Sequence, residues 1–216
     1  MKNPDKGSSS ESQEQEPIIT IKRSADAPLE IKKNPFYDPE FWGRADSPED
    51  IYLPDSDEAL SFALAAHEIG HLIREGRRTD TSLDNFEATR AEEQRAWNGG
   101  WKYLQKYLGE YYEDSSEDIL EVQQSFKRIR DLATQVVDLS EGMYLKRGTL
   151  DNIDQREKDR ILKEQRETFF SSRSKETKII LQKIKKEKNG VKPDWERFKT
   201  IVGKAVKDII DDNERG

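Results

Sequence analysis

The 216-residue chain has no cysteine. That excludes disulfide frameworks, Cys-ligated zinc, iron–sulfur clusters and cysteine nucleophiles together. It has only two histidines, so any site that needs imidazole must draw on those two. Long apolar runs are missing as well. The longest, Leu60 to Ala66, is interrupted by Ser61 and falls far short of the roughly 20 residues of a membrane-spanning helix. The N-terminus, MKNPDKGSSSESQEQEP, lacks the apolar stretch of a signal peptide. A soluble, cytoplasmic protein is the expectation.

Hydrophobic residues are also scarce, at 33%. Charged residues reach 38%, against about 25% in ordinary domains. A core can be built from part of the chain only, with solvated helices or tails around it. The net charge of −7 argues against a general nucleic-acid coat. Residues 145–188 are basic against an otherwise acidic chain, but their mixed-sign pattern reads as a solvated helix face. Neither nucleic acid nor a membrane is expected as a partner.

The composition divides the chain into a disordered tail (1–16), a core (17–112) and a helical C-terminal region (113–216) that packs on the core or extends from it. Residues 17–22 and Leu29-Glu30-Ile31-Lys32 are β-like runs that can pair as a hairpin. Residues 34–54, with four prolines, read as irregular chain pinned down by Phe36, Tyr37, Phe41 and Trp42. Ser56 or Asp57 caps a helix that runs to Glu75 and is closed by Gly76. A polar loop leads to a second helix over about 83–111, whose apolar face carries Phe86, Arg90, Glu93, Trp97, Trp101, Leu104 and Leu108. The Gly99-Gly100 pair in that helix implies close approach of another backbone. A third helix runs from Ser115 or Ser116 to about Leu139, using Ile119, Leu120, Phe126, Ile129 and Leu132. After a break at 142–148 and a weakly apolar helical stretch to 188, Asp194 starts a last amphipathic helix. The fold class expected is α+β, predominantly helical, with a small N-terminal sheet.

Both histidines fall in one pentapeptide, His67-Glu68-Ile69-Gly70-His71. On a helix, i and i+4 lie on one face, so the two imidazoles can grip one Zn²⁺. Glu68 projects beside them and can take the proton of a water that the metal acidifies. Gly70 weakens the helix but lets another segment approach the metal. The bland alternative is a chance match in an ordinary helix. The preceding apolar helix speaks against it, because it sets His67 and His71 at the core edge.

A catalytic zinc takes three protein ligands and keeps one position open. With no third His and no Cys, the third must be a carboxylate: Asp80, Asp84, Glu87, Glu92 or Glu93. Glu93 is preferred, because it shares a stripe with Phe86, Trp97 and Trp101, where an unpaired carboxylate is costly. Glu92, above Ala88 and Ala96, is the second choice. For an oxyanion donor the sequence offers Arg90, Arg95, Tyr103, Tyr107 and Tyr144 and does not choose among them.

Ala-Ala-His-Glu-Ile-Gly-His-Leu-Ile (65–73), followed by the acidic helix with Glu93-Gln-Arg-Ala96, resembles the gluzincin metallopeptidases, and within them the compact ImmA/IrrE-like type. The resemblance spans about residues 50–110. It implies a zincin-like core, zinc on His67, His71 and Glu93, Glu68 as general base, and a sheet edge that holds extended peptide. Ile51-Tyr52-Leu53 is the candidate for that edge. The expected activity is peptide-bond hydrolysis, with a protein or peptide substrate and a possible regulatory protein partner on the C-terminal helices. The alternative is a non-catalytic helical interaction protein in which the metal site is degenerate or structural.

Overall fold

A computed structural model describes residues 18–33, 38–41, 43–74, 86–139, 154, 156–157, 160–161, 174–188 and 190–216. Its sheet has three short strands: β1 (Ile21–Arg23), β2 (Arg44–Ser47) and β3 (Asp50–Leu53). Their order is β1-β3-β2, with β1 parallel and β2 antiparallel to β3. Ile51 and Leu53 are fully buried, as a strand enclosed on both edges requires.

Three expectations are corrected here. Leu29–Lys32 is one turn of helix, α1, rather than a strand, so there is no hairpin with the preceding run. Leu29 is 72% exposed, and a four-residue run with no buried side chain has nothing to hold it in a sheet. Part of the stretch read as irregular, 44–53, is the β2–β3 hairpin, turning through Pro48-Glu49. Ile51-Tyr52-Leu53 is the central strand, so it cannot be the substrate-holding edge; among the described strands the edges are β1 and β2.

Helix α2 (Glu58–Gly70) starts where Asp57 accepts a hydrogen bond from the Leu60 amide at 3.0 Å. Ala59, Leu60, Phe62, Ala63, Ala65, Ala66 and Ile69 are all buried, so this helix is enclosed nearly all round. Glu58 sits at its positive end and accepts from the Tyr111 and Tyr112 hydroxyls at 2.9 and 3.2 Å. The helix ends at Gly70, five residues short of the expected Glu75, and His71 is its C-cap. Tighter i→i−3 bonds follow, from His71 to Glu68 and from Leu72 to Ile69. The terminal groups are taken by other elements: Arg95 donates to the Gly70 and Ile73 carbonyls, and Asn213 bonds Leu72 and Arg74. Gly76 and the loop after it lie outside the described residues.

Helix α3 (Phe86–Leu104) crosses α2 at backbone contact. A Cβ on Gly70 would meet the Ala96 carbonyl oxygen at 1.9 Å, and one on Gly100 the Ala66 oxygen at 1.7 Å. The close approach expected at Gly99-Gly100 is this crossing. Instead of continuing to Tyr111, the chain tightens through a 3₁₀ turn (Gln105–Tyr107) into a short α4 (Leu108–Tyr111).

Helix α5 (Ser116–Leu139) buries Val122, Phe126 and Ile129, whereas Leu120, expected on the apolar face, is 53% exposed. Helix α6 (Ser174–Lys186) buries Ile180 and Ile184. Helix α7 (Trp195–Arg215) starts at Asp194, which caps the Glu196 and Arg197 amides. It buries Phe198, Ile201, Val202, Ala205, Val206 and Ile209, the i, i+3, i+4 stripe read from the sequence. Each large apolar side chain so buried contributes about 1.5–3 kcal/mol. One hydrophobic cluster, from Ala45 through Ile209, joins the sheet, α2 and the C-terminal helices. The fold is α+β and predominantly helical, with a small N-terminal sheet. No described helix is long and apolar enough to cross a membrane.

Candidate functional site

The α2–α3 crossing places the last turn of α2 against the first half of α3. His67 leaves α2 one turn before its end, and His71 caps it. Their Nε2 atoms face each other at 3.3 Å, and Glu93 Oε2 from α3 lies 3.3 Å from His67 Nε2. One donor atom from each of His67, His71 and Glu93 lies within 4.8 Å of the others, and this is the one such group among the described residues. With zinc–nitrogen bonds of about 2.0–2.1 Å, neighbouring corners of a tetrahedron stand about 3.3 Å apart. The two spacings from His67, and the nitrogen and carboxylate donors, are compatible with zinc.

Glu92, one residue earlier, turns elsewhere. It is 7% exposed, its Oε1 lies 3.6 Å from His71 Nδ1, and both its oxygens are held by the Arg95 guanidinium. Glu87 is exposed. Asp80 and Asp84 lie outside the described residues.

Glu68 lies beside the cluster under Gly43. A Cβ at position 43 would stand 2.5 Å from Glu68 Cγ and 2.8 Å from its Oε1. The chain just before β2 thus runs directly over this carboxyl. Burial pushes the Glu68 pKa up to about 8, with the Glu93 and Asp46 charges adding to the effect. Burial, and then the Glu92 charge, push Glu93 up to about 7. Burial, reinforced by His71, drives His67 down to about 3. The metal-free cluster therefore disfavours charge of either sign, and a bound cation favours the deprotonated form of all three groups.

The His67 ring stacks on Trp97, with centroids 4.5 Å apart and planes at 29°. Trp97 also lines a cavity of about 370 Å³ with Gln94, Asn98, Arg130, Asp131 and Thr134. Of the oxyanion candidates, Arg90 bonds Asp138, Arg95 bonds Glu92, and Tyr103 donates to Asp212. Tyr107 lies under the Lys204 ammonium. Tyr144 is outside the described residues.

Gly43, Asp46 and the structural role of Arg95 went unread in the sequence. A lone glycine between Trp42 and Arg44 carries no signal for a carboxyl 25 positions later. No family model matches the chain, nor does any curated protein or solved structure.

Proposed function

We propose that the protein is a zinc-dependent metallopeptidase, with the metal held by His67, His71 and Glu93 and with Glu68 as general base. The observation that carries this reading is the convergence of three donor atoms from two helices within 4.8 Å of one another, with a fourth, protonatable carboxyl beside them. When bound there, zinc supplies Lewis acidity, polarising a carbonyl and acidifying water.

The remaining roles belong to the chain. Glu68 takes the proton of the attacking water and returns it to the leaving amine. Gly43 keeps the space above Glu68 free of a side chain. The outer side of β2 is unpaired among the described residues, and Gly43 just before it lies over Glu68, so an extended peptide can add along β2 as a fourth strand. A protein or peptide substrate fits that edge.

Metal analysis of the purified protein is expected to give one zinc per chain. Glu68→Gln is expected to keep the zinc and to lose about 10²–10⁴-fold in peptide hydrolysis. Full activity in that variant removes Glu68 from the mechanism. A chain that binds no zinc, with a melting temperature indifferent to chelator, favours a non-catalytic helical interaction protein instead.

A further inference from the structure

A histidine bound to a metal through one nitrogen can still turn about its side-chain bonds unless its other face or nitrogen is held. The two rings of this site are held in different ways. His67 lies flat against Trp97, and its buried Nδ1 has no hydrogen-bond partner among the described residues. Its orientation is set by packing.

His71 is addressed by charge. Its Nε2 faces His67, and its Nδ1 faces Glu92 Oε1 at 3.6 Å, within ion-pair range. Glu92 is fixed in turn: Arg95 Nε donates to Oε2 at 2.8 Å and Nη2 donates to Oε1. Arg95 Nη1 reaches across to the carbonyls of Gly70 and Ile73 at 3.3 and 3.0 Å, on either side of His71. The guanidinium therefore ties Glu92 on α3 to the stretch of backbone that carries His71. An unpaired carboxylate this deeply buried would be costly, and the bidentate grip removes that cost while fixing its direction.

We propose that Glu92, clamped by Arg95, is a positioning residue that holds His71 with its proton on Nδ1 and its Nε2 turned to the metal. The inference rests on the assignment of His67, His71 and Glu93 as zinc ligands. It gives the two adjacent glutamates separate tasks, Glu93 toward the metal and Glu92 toward the imidazole behind it.

With only two histidines in the chain, imidazole ¹⁵N spectra of the full-length, metal-free protein resolve both rings. The expected result is a wild-type His71 in the Nδ1–H form. Glu92→Gln redistributes the tautomers of His71 and leaves those of His67 unchanged. In a chelator competition, zinc affinity falls about 10–100-fold in Glu92→Gln. Arg95→Lys, which keeps the charge but loses the fork, moves both readings in the same direction and serves should Glu92→Gln fail to fold. Glu87→Gln, on the exposed side of the same helix, changes neither. Wild-type zinc affinity together with an unchanged His71 tautomer in the Glu92 and Arg95 variants overturns the positioning role and leaves the ligand set standing. A wild-type chain that takes up no zinc overturns the ligand set, and this inference with it.

Discussion

His67, Glu68 and Glu93 titrate against one another in a way that pH can separate. His67 is depressed from 6.5 to about 3, so its contribution to stability is present above 6.5 and is lost as the pH falls. Glu68 and Glu93 are raised from 4.5 to about 8 and about 7, so their contribution is present below 4.5 and is lost as the pH rises. Between 4.5 and 6.5 the two trends oppose. From 6.5 to about 8 His67 no longer opposes the two carboxyls, and their titration is expected to cost the metal-free protein thermal stability across that window. Zinc should abolish the loss, because it stabilises the deprotonated carboxylates. Melting curves at pH 6.5 and 8, with and without zinc, test this; a metal-free stability that rises over the window contradicts it. Gly43 offers a second test. Gly43→Ala sets a methyl 2.5 Å from Glu68 Cγ and should displace that side chain. The expected outcome is lost peptidase activity with zinc binding retained, read by turnover and metal analysis.

At the scale of elements, the site depends on how closely α2 and α3 cross. The contact is backbone on backbone, so neither helix can give locally. Gly100→Ala would press a methyl to within 1.7 Å of the Ala66 carbonyl oxygen, one residue before His67. It should cost about 1–3 kcal/mol or more in urea unfolding and weaken zinc binding, since parting the helices parts Glu93 from the imidazoles. Gly99→Ala is the internal comparison. Its methyl meets only Ile73 Cδ1, the movable end of a side chain, and the change in stability should be much smaller. Equal losses in the two variants would contradict the crossing as the source of the geometry. Helix α5 supports the same corner from the other side, with Phe126 stacked on Trp101 at 4.0 Å and tilted against Trp97 at 5.9 Å.

Across the whole molecule, the C-terminal helix braces the end of α2, which carries His67 and His71. Asn213 donates to the Leu72 carbonyl at 2.9 Å and accepts from the Arg74 amide at 2.8 Å, and Asp212 accepts from Tyr103 at 2.6 Å. The Asn213–Leu72 contact spans 141 positions in sequence. Asn213→Ala should therefore destabilise the protein by about 0.5–1.5 kcal/mol, having removed two hydrogen bonds at a half-exposed helix end. It should also raise amide exchange at Leu72 and Arg74, measured by hydrogen–deuterium exchange; unchanged exchange there contradicts the brace. The opposite end of α2 is held in the same manner, by Tyr111 and Tyr112 on Glu58 and by the Val191 carbonyl accepting from the Glu58 amide.

Much of this was legible before any coordinates. The pairing of His67 and His71 one turn apart, Glu68 between them, and the absence of cysteine that leaves a carboxylate as the candidate third donor are properties of local spacing and residue chemistry. So are the caps at Asp57 and Asp194 and the stripe of α7, because caps and helical periodicity act over three or four residues. The tertiary structure decided what local rules do not reach. Glu92 and Glu93 are both acidic, and their side chains differ by about 100° around the helix; only the direction from which α2 approaches separates their roles. The segment 44–53 forms strands because Ile51 and Leu53 are fully enclosed, a gain that a proline-rich window does not reveal. Gly43 over Glu68, Arg95 on the Gly70 and Ile73 carbonyls and Asn213 under the end of α2 are contacts across distant chain. Their partners are chosen by tertiary packing, which local spacing does not encode.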